Sequence, residues 1–219
     1  MGPLQVERGG VTVPLPRSAV LRGLLGVLLL AEGRPVPPSR LISLVWTHQR
    51  EVRRQSVQVG VSRLRDWLAS VGADPDGTAI GHTASGYHLT VDPAAVDLSR
   101  FRDMVTAANA EPDHARRCRL LTDALALSRG PVLADLTGLP ATDPLLAGAD
   151  DAVRCATLAL ADCAVAAGQA GAAVRRLATL ADARPLDEPV YARLINALAA
   201  SRRPAEALAR YEQLRSRLG

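Results

Sequence analysis

Lysine is absent from this sequence: all 26 basic residues among its 219 are arginine. Coding bias in a GC-rich genome is the simplest cause, so the absence implies no mechanism. Aromatic residues are nearly as scarce, at 3%. The apolar content, 48% of the chain, is instead mostly Ala, Leu and Val, which suits helix packing better than a β-sandwich and suffices for a buried core. Cysteine occurs only as Cys118, Cys155 and Cys163. An odd number in a chain this large argues against a disulfide framework. Cys155 and Cys163 fall in one expected helix, ~12 Å apart along its axis, too far to bridge. Buried free thiols are the expectation for all three. Long hydrophobic runs are also lacking. Leu21–Ala31 is interrupted by Arg22, Gly23 and Gly26 and is too short to span a bilayer. Met1–Gly10 has neither the basic start nor the apolar core of a signal peptide. A cytoplasmic protein without membrane contact is expected.

Catalytic and metal chemistry is equally hard to find. His48, His82, His88 and His114 have no Cys or acidic partners at ligand spacing. There is no Walker-type phosphate loop and no dinucleotide fingerprint. Ser85-Gly86 lacks the flanking glycines of a nucleophile elbow. No metal, no cofactor and no enzymatic activity are expected. An enzyme or small-molecule sensor would need a nucleophile–base pair that the sequence does not supply. The acidic pairs Asp150-Asp151 and Asp187-Glu188 read as helix-start caps.

The charge that is present is unevenly spread. Residues 17–71 carry nine Arg against Glu32, Glu51 and Asp66, a local net of +6, whereas residues 97–219 carry sixteen Arg against fifteen acids. The basic surplus thus lies in the N-terminal part, as expected of a part that meets phosphates. There Leu4–Val6 and Val11–Val13 read as strands joined at Gly9-Gly10. Residues 17–32 read as a helix closed by Gly33, and a second helix begins with Ser39 as N-cap. Residues 51–69 form a third helix whose Val57, Val61, Leu64 and Leu68 share one face. Asp74-Pro75-Asp76-Gly77 stops it, and Ala79–Gly81 with Tyr87–Val91 read as a hairpin whose tip is His82–Gly86. Two strands, three helices and a hairpin, with the third helix basic, form the layout of a winged helix-turn-helix over residues 1–93. From 97 to 219 only helical periodicity remains, with helices at about 98–110, 113–128, 145–168, 170–183, 188–200 and 204–218. Small residues alternating with Leu give this part a tetratricopeptide-like, repeat-like character. Trp46 and Trp67 read as core or interface anchors, and Tyr191 and Tyr211 as repeat-core residues.

The third helix is the strongest candidate site. With its aliphatic seam toward the core, Gln55, Val59, Ser62 and Arg63 lie roughly opposite, and Gln58 and Arg65 lie on one flank. Gln pairs bidentately with adenine and Arg with guanine in the major groove, while Ser and flanking Arg, including Arg54, suit phosphates. His82, Thr83 and Ser85 are hydrogen-bonding residues on the expected wing. A solvated helix face and an ordinary polar turn are the plain alternatives for the two sites.

Val61-Ser62-Arg63-Leu64-Arg65, Ser85-Gly86-Tyr87-His88-Leu89 and Val96-Asp97-Leu98-Ser99-Arg100-Phe101 together resemble the Streptomyces antibiotic regulatory protein (SARP) family. So do Gly33-Arg34-Pro35-Val36 leading to Leu41-Ile42 and Trp46. Asp187-Glu188-Pro189 through Leu194, with Arg202 through Leu208 and Tyr211, is similar to that family's bacterial transcriptional activator domain. The resemblance implies an OmpR-like winged helix-turn-helix followed by an all-helical, tetratricopeptide-like activator domain. It further implies activation of a biosynthetic gene cluster, head-to-tail protomers on direct repeats of double-stranded DNA, and contact with RNA polymerase. Arg54, Gln55, Gln58, Ser62, Arg63 and Arg65 then fall on the recognition helix. Two departures, a mid-helix Gly60 that costs ~1 kcal/mol against Ala and Arg53 near the core seam, motivate a second reading: a protein- or ligand-binding regulatory module with weakened DNA recognition.

Overall fold

The computed structural model describes residues 1–47, 54–73, 77–136, 139–140 and 142–218. The expectations placed on residues 48–53, Arg53 and the start of the third helix among them, and on Asp74-Pro75-Asp76, lie outside the described residues. The chain forms two compact units, Met1–Arg100 with Ser128–Asp150, and Phe101–Leu127 with Asp151–Gly219. The first unit runs on to Arg100, past the boundary expected at 93–97, and Ser128–Asp150 also clusters with the N-terminal residues.

In the first unit, β1 (Val6–Arg8) pairs antiparallel with β2 (Val11–Val13), Arg8 opposite Val11. Gly9 and Gly10 turn the chain with φ of 56° and 79°, the doubly left-handed turn that favours glycine. A two-residue turn makes Arg8–Val11 the closing pair, so the strand lies later than the expected Leu4–Val6. Leu4 is instead buried, and its N–H donates to Asp135 Oδ1 at 2.7 Å.

Helix α1 (Ala19–Leu30) buries Leu24, Leu25, Val27, Leu28 and Leu30. Helix α2 (Pro38–Val45) begins earlier than expected: Pro37, not Ser39, is the N-cap. Pro38 takes the first helical position, where its missing N–H costs nothing, and it holds Pro37 extended at ψ 145°. Helix α3 (Arg54–Ser70) runs without a break and buries Val57, Val61, Leu64 and Leu68 at 0–5% exposure, the seam expected from their spacing.

A hairpin of β3 (Ala79–Thr83) and β4 (Gly86–Thr90) follows, with Thr83 opposite Gly86. Only Ala84 and Ser85 form its tip, so His82 and Thr83 belong to the strand rather than to the expected five-residue tip. Thr83 Oγ1 makes the short turn possible, accepting from the Ser85 N–H at 3.2 Å and donating to the Gly86 carbonyl at 3.3 Å. The hairpin is tied to the α1–α2 connection by a bridge: Val36 N–H donates to Tyr87 O at 2.7 Å and Tyr87 N–H to Val36 O at 3.0 Å.

Ser128–Asp150 completes this unit. Arg129 N–H donates to Met1 O at 2.9 Å and Leu133 N–H to Gly2 O at 2.8 Å. Leu133 and Leu136 pack over Gly26 of α1, where an added Cβ would stand 2.8 and 2.9 Å from their methyls. Arg40 of α2 pairs with Asp143, whose other oxygen accepts from the Leu145 N–H at 2.9 Å.

The second unit is helical. It holds most of α4 (Asp97–Ala110) and α6 (Pro144–Ala166), with α5 (His114–Ala126), α7 (Gly171–Ala183), α8 (Glu188–Ala200) and α9 (Pro204–Leu218). Asp113 caps α5 through the Arg116 N–H at 2.7 Å. Helices α7, α8 and α9 pack in sequence, with Ala173, Leu177, Ala181, Leu194 and Ala197 closely fitted in the core. Tyr191 is fully buried, but Tyr211 is 52% exposed and is not a core residue: α9 buries Ala207 and leaves Leu208 exposed as well.

The acidic pairs divide: Asp187 takes the N-cap position of α8 and Glu188 its first turn, as expected, whereas Asp150-Asp151 is not at a helix start. Asp150 and Asp151 lie inside α6, where Asp150 accepts from the Val132 N–H at 3.2 Å. The Asp187 side chain, at the N-cap position of α8, holds Arg154 in a two-pronged pair at 2.5 and 2.8 Å. That pairing keeps the Asp187 carboxyl below its ordinary pKa. Cys118 and Cys163 are buried with sulfurs 2.8 Å apart, whereas Cys155, expected to be buried, is exposed.

Candidate nucleic-acid interface

Helix α3 positions the site. Its aliphatic seam is locked into the first unit, which leaves Arg54, Gln55, Gln58, Ser62 and Arg63 exposed. Gly60 is what allows this seating. It is buried, and a Cβ there would approach Leu24 Cδ1 of α1 to 2.8 Å. The glycine therefore lets α1 and α3 come close, and it neither kinks nor ends the helix.

Arg65 differs from the other arginines. Its Nε and Nη2 both donate to the Ile80 carbonyl of β3, at 3.0 and 2.7 Å. The side chain is a strut between α3 and the hairpin, a role the sequence reading missed because it depends on where β3 passes. The rest of Arg65 stays exposed.

The wing residues are exposed at His82, Thr83 and Ser85, and they divide by function. His82 leans on Tyr87, ring centroids 4.6 Å apart, and Thr83 is occupied with the turn. Ser85 stands at the tip itself. The structure thus gathers Arg54, Gln55, Gln58, Ser62 and Arg63 on one element and places the three wing residues on another of the same unit. A groove of about 410 Å³ runs beside α3, between Ser18 and Leu21 of the α1 start, Trp46, and Gln55, Val59 and Arg63. Val59, to which the sequence reading gives no role, is 46% exposed on this face.

Such an arrangement can offer amide and guanidinium groups to base edges and to phosphates. Among the described residues, no group of three His, Cys, Asp or Glu could hold a metal ion, and no helix is long and apolar enough to cross a membrane.

Comparison with known proteins gives this geometry its setting. Residues 96–219 match the bacterial transcriptional activator domain, and residues 15–89 match the C-terminal domain of transcriptional regulatory proteins. The chain belongs to the SARP-type transcriptional regulators. SARP-type chains are regulators and not enzymes, and here the family's winged helix-turn-helix precedes its tetratricopeptide-like activator domain. The chain is 32% identical over 224 residues to the transcriptional regulatory protein EmbR of Mycobacterium tuberculosis, spanning all of this chain and 57% of EmbR. It is 32% identical over 221 residues to the regulatory protein AfsR of Streptomyces coelicolor, spanning 98% of this chain and 21% of AfsR. The solved structure of M. tuberculosis EmbR in complex with a low-affinity phosphopeptide superposes with a TM-score of 0.79, over 99% of this chain and 58% of that one. This SARP-type chain therefore spans little more than half of EmbR and about a fifth of AfsR.

Proposed function

We propose that the chain is a sequence-specific DNA-binding activator of a biosynthetic, secondary-metabolite gene cluster, acting in the cytoplasm on double-stranded DNA. The observation that carries this reading is the outward face of α3, a continuous helix seated by its seam with Gln55, Gln58, Ser62 and Arg63 left in solvent. Gln55 and Gln58 read adenine, Arg63 reads guanine or grips a phosphate, and Arg54 and Ser62 hold the backbone. Arg65, fixed to the Ile80 carbonyl, keeps the wing in register with the helix and turns its remaining N–H groups to a phosphate. Ser85, with Thr83 and His82 behind it, meets the neighbouring groove. Kinship with transcriptional regulators supports a second set of partners: promoter direct repeats occupied by head-to-tail protomers, and RNA polymerase.

The second reading, a regulatory module with weakened DNA recognition, was motivated partly by Gly60. Packing against Leu24 accounts for that glycine, so it no longer favours the module.

The experiment is an electrophoretic shift titration of the chain against upstream DNA of its neighbouring genes, from 50 to 200 mM salt. Binding should weaken steeply with salt as counterions are released, by ~10³-fold or more for six phosphate contacts. Arg63→Ala should lower affinity about tenfold or more if it reads guanine, or reduce the salt slope by about one if it holds a phosphate. Undetectable binding at the lowest salt ends the proposal.

A further inference from the structure

We infer that Val59 contacts the 5-methyl group of a thymine, and so sets the base preference at the centre of the site read by α3. The inference rests on the DNA-binding reading above and deepens it.

Val59 lies roughly opposite the buried seam of α3, on the exposed face that borders the groove beside Leu21 and Trp46. At 46% exposure it contrasts with the seam valines, Val57 at 0% and Val61 at 1%. Gln55 stands one turn before it and Arg63 one turn after, about 6 Å away along the axis on each side, and both are exposed. Ser56 and Ser62 flank it and are exposed as well. Val59 is thus the one large apolar side chain exposed on α3, set among hydrogen-bonding groups of that helix and bordering the groove that Leu21 and Trp46 also line.

Helix stability does not explain a valine there. A β-branched residue is a poorer helix former than Ala, Gln or Arg, and at 46% exposure it stands outside the buried seam. It can neither donate nor accept a hydrogen bond, so it offers nothing to a phosphate. In the major groove one base presents an apolar group at its edge: thymine, through C5-methyl. Against any other base the valine would desolvate polar edge atoms without pairing them. With Gln55 and Arg63 suited to adenine and guanine, the central preference is a thymine flanked by base pairs that those two side chains read.

Uracil, which lacks only that methyl, provides the test. The full chain selects duplexes from a random double-stranded pool, and each thymine of the enriched duplex is then replaced singly by deoxyuridine. Affinities are measured for the wild-type chain, Val59→Ala and Val59→Thr, with circular dichroism melts as folding controls. At one thymine per bound protomer, uracil should weaken wild-type binding about fourfold, the factor for burying one methyl group. Val59→Ala should bind the thymine duplex about fourfold more weakly than wild type and lose nothing further at that uracil. Val59→Thr, which keeps one methyl, should fall between the two. If no thymine is sensitive, or the uracil penalty is as large in Val59→Ala as in wild type, another residue makes the contact and the inference is overturned while the DNA-binding reading stands. If no sequence is enriched at all, both fall together.

Discussion

Replacing Gly86 by alanine should unfold the first unit more readily than any other single methyl added to its hairpin. Gly86 has φ +136°, and a Cβ there would overlap the Val36 carbonyl and stand 2.7 Å from the Pro37 nitrogen. Both obstacles are backbone, so no side-chain rotation can relieve them. A non-glycine residue in that conformation costs about 1–3 kcal/mol. Moving it clear would also break the two hydrogen bonds between Val36 and Tyr87, each worth a net ~1 kcal/mol. The sum, about 3–5 kcal/mol, is a large part of the ~5–15 kcal/mol that holds a typical domain together. Gly77→Ala is the matched control: its φ is +73° with nothing within 4 Å, so only left-handed strain of about 1–2 kcal/mol remains. Trp46 and Trp67 both lie in the first unit, so tryptophan fluorescence in a urea titration reports that unit alone. A loss for Gly86→Ala no greater than for Gly77→Ala would refute the reasoning, because the bridge to Val36 would then be dispensable.

The Arg154–Asp187 pair, with side chains 19% and 11% exposed, should contribute about 2 kcal/mol, between the values for exposed and buried pairs. Its pH dependence has a definite sign. The Asp187 carboxyl is held below its ordinary value by Arg154, so its stabilisation is complete above an unfolded pKa of ~3.9 and is lost as pH falls through the folded value. Urea titrations followed by circular dichroism should show Asp187→Asn less stable than wild type at pH 7, with the gap narrowing progressively as pH falls below ~4; an unchanged gap in acid would contradict the pairing. Thiol labelling with a disulfide reagent at pH 8 should modify exposed Cys155 rapidly and leave the other two thiols slow. Burial, helped by the hydrogen bond to Cys118, pushes the Cys163 thiol up to about 12. Two or three thiols reacting at the same rate in the folded protein would refute this.

Local pattern made most of the helices legible. The Val57/Val61/Leu64/Leu68 spacing located the seam of α3 and, with it, the outward set of Gln55, Ser62 and Arg63. What escaped depends on partners distant in sequence. Arg65 looks like any helix-face arginine until β3 places the Ile80 carbonyl beneath it. Gly60 looks like a defect until Leu24 is seen against it. Tyr211 looks like a packing residue of α9, yet the helix buries Ala207 and leaves Leu208 and Tyr211 exposed. Two errors had local causes that could have been read: the first position of α2 is set by Pro38, and the end of β1 by the Gly9-Gly10 turn.

Ser128–Asp150 gives the N-terminal unit a chain order of its own. Leu133 and Leu136 lie over Gly26, and the backbones of Met1 and Gly2 are hydrogen-bonded by Arg129 and Leu133. A fragment cut at residue 93 would leave that side of α1 bare and apolar. Because Ser128–Asp150 follows Phe101–Leu127 in the chain, the N-terminal unit takes its last piece only after the start of the second unit has been synthesised.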